Sequence, residues 1–142
     1  MKSKVQSIVS LILLLTLMLL AVSCKPTDGT DVWESATYRT DMEFGNGAKV
    51  VTVEVAAEEK VITFTVRTDK ATVGEALMEH GLLAGDMGQY GLYVKVVNGI
   101  TADYDIDQSY WAFYIDGEYA MTGVDATAIT EGAVYRLART PG

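Results

Sequence analysis

The sequence is poor in cysteine, histidine and basic side chains, and each shortage excludes a class of protein. A single cysteine, Cys24, excludes an internal disulfide, so the core alone must hold the fold. A single histidine, His80, has no evident nucleophile or carboxylate partner, and no serine or threonine lies in a nucleophile motif. Eleven basic against nineteen acidic residues give a net charge of −8, which disfavours nucleic acid as a partner. We therefore expect neither catalysis nor nucleic-acid binding.

The first residues have the pattern of an export signal. Lys2 and Lys4 precede an apolar run from Ile8 to Val22, which is shorter than the ~20 residues of a membrane-spanning helix. The run ends in "LLAVSC", which resembles the lipobox of bacterial lipoproteins, with Ala21 where Leu is commoner. The resemblance implies acylation of Cys24 and a lipid anchor on the extracytoplasmic face of the bacterial cell membrane. The alternative is an ordinary cleaved signal in which Cys24 is incidental.

These features predict three segments. Residues 1–23 are the lipoprotein signal peptide, 24–47 are the acylated cysteine and a polar tether with a possible extra strand, and 48–142 are the folded domain. The extra strand is suggested by alternation between Tyr38 and Phe44. Removal of the signal leaves nine basic residues and a net charge of −10.

Hydrophobic periodicity in the folded domain predicts an α+β fold. Two period-2 runs, Lys49–Val55 and Val61–Thr68, predict a hairpin with one buried face. In "TVGEALMEHGLL", Thr72 and Glu75 form a capping box, and Gly81 is a helix stop, so a helix of about ten residues follows. Further hairpins and a last strand come after it. This order is typical of a β-grasp (ubiquitin-like) fold, a mixed sheet with one packed helix.

Rings are concentrated in "SYWAFYIDGEY", a hairpin around an Asp-Gly turn. Alternation predicts that Trp111, Phe113 and Ile115 face the core, whereas Tyr110, Ala112 and Tyr114 face the other way. A tyrosine cluster on one exposed edge is typical of a binding surface, although tyrosine is also simply a good strand residue. Both interpretations stay open on the residues alone.

From about Lys49 to Leu137 the chain resembles the transcobalamin-like C-terminal domain family, found on bacterial surface lipoproteins. The matching stretches are "TVGEALMEHGL", "YGLYVKVVNGI", "SYWAFYIDGEY", "TGVD" and "EGAVYRL". The resemblance implies a β-grasp related to the small lobe of cobalamin carriers, and a ligand edge that includes Trp111 at its rim. We expect no counterpart of the large helical half of such carriers within these 142 residues. The predicted ligand-binding residues are Tyr110, Trp111, Tyr114, Tyr119, Met121, Gly123 and Val124.

Two other candidates are weaker. Asp103, Asp105 and Asp107 alternate as calcium ligands can, but the EF-hand glycine and glutamate positions hold Gln108 and Tyr114. We therefore expect a solvated acidic strand edge or loop and no metal. His80 lies on the apolar stripe of the helix, where a half-buried packing role is expected.

The sequence favours a membrane-anchored lipoprotein with a small-molecule binding module. The resemblance implies cobalamin or another corrinoid as the ligand and a separate surface protein that supplies the missing half. The alternative is a non-catalytic protein–protein interaction or envelope-structural module without a small ligand.

Overall fold

The computed structural model describes residues 29–142, and its compact unit runs from Asp31 to Gly142. The predicted signal peptide, 1–23, and the predicted lipidation site, Cys24, lie outside the described residues. Within the described range, no helix is both long and apolar enough to cross a membrane.

Strands make up most of the regular secondary structure of this unit. In chain order they are β1 Met42–Phe44, β2 Lys49–Ala57, β3 Lys60–Thr68, β4 Leu83–Gly88, β5 Gly91–Val97, β6 Ile100–Thr101, β7 Ser109–Ile115, β8 Glu118–Tyr119 and β9 Val134–Pro141. The helices are α1 Val73–Glu79 and the short α2 Tyr104–Asp107, and a 3₁₀ turn spans Val32–Ser35.

A six-stranded sheet with the order β1-β3-β2-β9-β7-β8 forms the centre of the fold. At its middle β2 runs parallel to β9, while β3 and β7 are antiparallel to their respective neighbours β2 and β9. A second sheet has the order β4-β5-β6. The predicted α+β class, with a mixed sheet and one main helix, is confirmed.

The β2–β3 hairpin follows the predicted period-2 pattern. Val53 pairs with Phe64 in an antiparallel register, so alternate residues of both strands share one face. The side chains buried on that face are Val51, Val53, Val55, Ile62, Phe64 and Val66. Their burial beside Leu77 of α1 forms much of the hydrophobic core.

Helix α1 begins with the predicted capping box. The Thr72 hydroxyl accepts from the Glu75 N–H at 3.3 Å, and the Glu75 carboxylate accepts from the Thr72 N–H at 3.2 Å. The helix has seven residues, fewer than predicted, because His80 is already its C-cap and Gly81 follows with a φ of +66°. It buries Val73, Gly74, Ala76 and Leu77.

Strand β4 has no counterpart in the sequence prediction. Its residues Leu83–Gly88 include two glycines and an aspartate, which are poor strand formers. Pairing with β5 holds it in place, with a register shift between Ala84 and Gly85. A Cβ at Gly85 would lie 2.0 Å from the Tyr93 carbonyl oxygen, so only glycine fits there.

Residues 31–47, which the sequence assigned to the tether, pack on the domain. Trp33 is 4% exposed, its Nε1 donates to the Ala57 carbonyl at 3.0 Å, and the Lys60 ammonium lies 4.6 Å from its ring centroid. The possible extra strand is β1, which is shorter than the alternating run and pairs in parallel with β3.

The acidic run from Asp103 to Asp107 forms α2, and the expectation of a strand edge or loop is wrong. The Asp103 side chain caps the helix by accepting from the Asp105 N–H at 3.1 Å. Gln108 ends it in the left-handed conformation, with a φ of +56°. Local capping by aspartate therefore outweighed the alternating pattern.

Candidate functional site

The β7–β8 hairpin places its rings as alternation predicts. Asp116 and Gly117 form the turn, with φ angles of +49° and +85°. Trp111 and Phe113 are buried, whereas Tyr110 and Tyr114 on the other face are half-buried. Ala112, which alternation placed on the wet face, is buried and pairs with Ala138 of β9.

A recess of about 390 Å³ lies beside this hairpin. One wall comes from β5, and the other comes from the hairpin and the loop that follows it. The lining residues are Leu92, Tyr93, Val94, Tyr110, Trp111, Phe113, Tyr119, Ala120, Met121, Thr122, Gly123, Val124 and Leu137. Its volume is near the lower end of the about 300–1,000 Å³ common for small-molecule sites.

Most of the predicted ligand-binding residues line this one recess. The set comprises Tyr110, Trp111, Tyr119, Met121, Gly123 and Val124. Tyr114 is not among the lining residues; it packs edge-on against Tyr119 with ring centroids 5.5 Å apart. The β5 wall was not predicted. The sequence signal for it was that Tyr93 lies in "YGLYVKVVNGI", one of the stretches that carry the family resemblance.

Trp111 is both a core residue and a wall of the recess. Its side chain belongs to the hydrophobic core, and the residue is 7% exposed. Its buried Nε1 finds no hydrogen-bond acceptor within residues 29–142. An indole N–H without an acceptor costs about 1–3 kcal/mol. The position at the rim reconciles alternation, which buries Trp111, with the predicted ligand edge.

Asp125 holds the loop of the recess against the rest of the domain. Its Oδ2 accepts from the Leu92 N–H at 3.2 Å, and a Cβ at Gly123 would lie 2.8 Å from its Oδ1. The Val124 carbonyl accepts from the Gly74 N–H at 2.9 Å, at the start of α1. The loop is thereby tied to both β5 and α1, and the recess wall is preformed.

The aspartates near α2 are engaged in structural contacts. Asp107 accepts from the Ser109 hydroxyl and from Arg139, whose Nη2 lies 2.7 Å from Asp107 Oδ2. The Ser109 hydroxyl is the main reason that the pKa of Asp107 falls to about 2. Hydrogen bonds to Asp86 and then Asp103 raise the pKa of Lys95. Within residues 29–142, no group of three or more potential ligand side chains is arranged to hold a metal ion.

His80 packs as predicted at the end of α1. Its ring stacks on Phe44 with centroids 5.5 Å apart, and its side chain is 18% exposed. Its Nε2 lies 3.9 Å from Glu79 Oε2, too far for a hydrogen bond. It borders a smaller recess of about 260 Å³ beside Gly45 and Gly47.

Several solved structures are similar to this chain. A "putative metal binding protein" from Ruminococcus gnavus is 33% identical, with a TM-score of 0.63, over 66% of this chain and 98% of that protein. The chain belongs to the same family as this protein. Residues 70–134 match the family described as Domain of unknown function (DUF4430). No curated protein matches the chain.

Haptocorrin in complex with Cbi shares the fold. It is 16% identical, with a TM-score of 0.53, and the match covers 69% of this chain. The chain spans only 27% of the length of haptocorrin. This likeness concerns the fold alone.

Proposed function

We propose that this protein is a lipid-anchored extracytoplasmic lipoprotein whose β-grasp domain binds a small molecule in the recess and catalyses no reaction. The observation that carries the proposal is the convergence of Tyr110, Trp111, Tyr119 and Met121 on one preformed recess. Pockets lined by apolar and aromatic groups with a few polar atoms are typical small-molecule sites. The phenol hydroxyls of Tyr93, Tyr110 and Tyr119 are the polar groups that would orient a ligand.

We propose a corrinoid as the ligand class. Support comes from the family resemblance and from the shared fold with haptocorrin, which was crystallised with Cbi. A corrin ring with its amide side chains is larger than a recess of about 390 Å³, so this domain could cover only one edge of it. A partner surface protein would then supply the remaining contacts.

Isothermal titration of the full chain in dodecyl maltoside with dicyanocobinamide tests this proposal. We expect saturable binding that weakens about fivefold in Tyr119→Ala, because one aromatic contact is worth about 1 kcal/mol. Tyr90→Ala is the matched control, since Tyr90 is 94% exposed and does not line the recess. If no heat is released at high micromolar dicyanocobinamide, a corrinoid ligand is contradicted. If Tyr119→Ala and Tyr90→Ala lose affinity equally, the recess is contradicted as the binding site.

A protein–protein or envelope-structural role is the second candidate. It is favoured by large apolar side chains exposed near the recess, notably Met121 at 94%. Such exposed patches commonly mark interaction surfaces. Cross-linking on intact cells would then capture a defined surface partner, and Tyr110→Ala and Tyr114→Ala would abolish the capture while ligand titration stays silent.

Membrane anchoring through Cys24 is tested separately. We expect metabolic labelling with palmitate to mark the protein and Cys24→Ser to abolish both the label and recovery in the membrane fraction. Two acyl chains are sufficient for stable anchoring, whereas the short apolar run is not. A Cys24→Ser protein that still fractionates with membranes would instead indicate an uncleaved signal.

A further inference from the structure

The recess is lined by rings and has no charge of its own. Tyr93, Tyr110, Trp111, Phe113 and Tyr119 all contribute to it, and none of its lining residues is charged. Tyr93 and Tyr119 are 42% and 59% exposed, so part of their surface is open to a ligand. Aromatic faces carry negative electrostatic potential and attract cations placed over them.

Acidic residues outnumber basic ones in the part of the chain that forms the recess. Residues 71–142 contain ten acidic residues against Lys95, Arg136 and Arg139, and the two arginines are paired with Glu54 and Asp107. That lysine is neutralised locally, because its Nζ lies 3.0 Å from Asp86 Oδ2 and 3.2 Å from Asp103 Oδ2. The Asp125 carboxylate lies beside Gly123 at the recess. The local field therefore favours a positively charged ligand and opposes an anionic one.

A ring of the recess already interacts with a cation. The Lys95 ammonium lies 5.8 Å from the centroid of Tyr93, within the range of a cation–π contact. Asp86, directly opposite Tyr93 in the β4–β5 pairing, holds that ammonium in place. Tyr93 of the β5 wall therefore lies next to an ammonium group that a carboxylate of β4 holds, and neither Lys95 nor Asp86 lines the recess.

The chemistry of the lining selects among cations. A metal ion or a primary ammonium must replace a tight hydration shell with oxygen or nitrogen ligands, and the uncharged lining offers few of them. A quaternary ammonium group donates no hydrogen bonds and is weakly hydrated, so rings and methyl groups can enclose it. About 390 Å³ is enough for such a head group.

We propose that the recess binds a quaternary ammonium group, with the rings of Tyr93, Tyr110 and Tyr119 around the cation and the Asp125 carboxylate at its edge. This inference rests on the proposed function of the recess as a ligand site. It names a ligand chemistry, an organic cation, that the corrinoid proposal does not require.

The test compares choline with 3,3-dimethylbutan-1-ol, its uncharged isostere of the same shape. The full chain in dodecyl maltoside is titrated with each compound and followed by calorimetry. Choline is expected to bind at least about tenfold more tightly, because the uncharged isostere keeps the shape and loses every cation–π contact. Tyr119→Ala should weaken choline binding about fivefold or more, Tyr119→Phe should retain it, and Tyr90→Ala should leave it unchanged.

Equal affinity for the two compounds, or no binding of choline, would overturn the inference. Choline binding that Tyr119→Ala and Tyr110→Ala leave intact would also overturn it, since the cation would then lie elsewhere. Titration of the same sample with dicyanocobinamide separates the two proposals. If dicyanocobinamide binds and choline does not, the recess remains a ligand site. Only the inference that it prefers an organic cation is then overturned.

Discussion

The side-chain amide of Asn98 hydrogen-bonds both backbone groups of Tyr38. Its Oδ1 accepts from the Tyr38 N–H at 2.9 Å, and its Nδ2 donates to the Tyr38 carbonyl at 2.8 Å. Asn98 has 0% exposure, and its own carbonyl accepts from the Thr37 N–H at 2.8 Å. The turn between β5 and β6 therefore holds the segment before β1 as a neighbouring strand would.

Replacement of Asn98 by alanine should destabilise the domain by about 2 kcal/mol or more, because two partly buried hydrogen bonds to the Tyr38 backbone are lost. Urea unfolding followed by tryptophan fluorescence measures the change. Asn46→Ala is the control, since Asn46 is exposed, and a surface change of this kind should stay within about 0.5 kcal/mol. Similar midpoints for the two variants would contradict the role of Asn98.

Residues 31–47 should contribute to stability although the sequence alone assigns them to a tether. A chain that begins at residue 48 loses the buried Trp33 and its hydrogen bond to Ala57, and large aromatic truncations in cores cost about 3–5 kcal/mol. We expect it to unfold at clearly lower urea than a chain that begins at residue 29. Equal midpoints would show that the segment is a passive linker.

Asp107 should make the fold sensitive to acid. Its pKa in the folded chain is lowered to about 2 from 3.8, mainly by the Ser109 hydroxyl, so the carboxylate binds protons more readily when unfolded. Its stabilising effect is then complete above pH about 4 and is lost as the pH falls towards 2. In urea midpoints measured from pH 6 to pH 2, Asp107→Asn should flatten this part of the profile.

The control for Asp107 is Asp105→Asn, two residues earlier in α2. The Asp105 side chain is exposed and receives no hydrogen bond within residues 29–142. The urea midpoint of Asp105→Asn should therefore depend on pH in the same way as that of the unaltered protein. Parallel profiles for all three proteins would refute the assignment to Asp107.

The hydroxyl of Tyr135 should contribute to the stability of the fold through two hydrogen bonds. Tyr135 is 1% exposed, its oxygen accepts from the Thr130 N–H at 2.9 Å, and it donates to the Ala128 carbonyl at 3.3 Å. Tyr135→Phe should cost about 1–2 kcal/mol, because those groups are left without a partner. Tyr104→Phe, at a 53% exposed position, should be neutral in the same thermal melts. A neutral Tyr135→Phe would argue that water replaces the hydroxyl.

Local chemistry made several elements predictable. The capping box at Thr72 and Glu75 works between adjacent turns of one helix, and the Asn98-Gly99 and Asp116-Gly117 turns carry their own positive φ angles. The β2–β3 hairpin needs only a period-2 pattern and a short polar loop. Strand β4 could not be found in this way, because pairing with β5 overrides the poor strand preference of Gly85 and Asp86.

One wall of the candidate site was predictable from the sequence, and the other wall was not. Tyr110, Trp111 and Tyr119 lie close together in sequence, and alternation assigned each strand position to a face. Tyr114 was included although it packs on Tyr119 outside the recess. The second wall, with Leu92, Tyr93 and Val94, comes from another sheet. The approach of β5 to the β7–β8 hairpin depends on contacts between distant parts of the chain.

By itself the sequence determined the α+β class, the hairpins, the main helix and the acidic, ring-rich character of the region around residues 90–125. These properties arise from periodicity, capping and turn chemistry over a few neighbouring residues. Only the tertiary structure decided that β5 faces the β7–β8 hairpin, that Trp33 and Asn98 bring residues 31–47 into the domain, and that a recess results. Burial and packing between segments far apart in sequence set those contacts, and no local pattern specifies them.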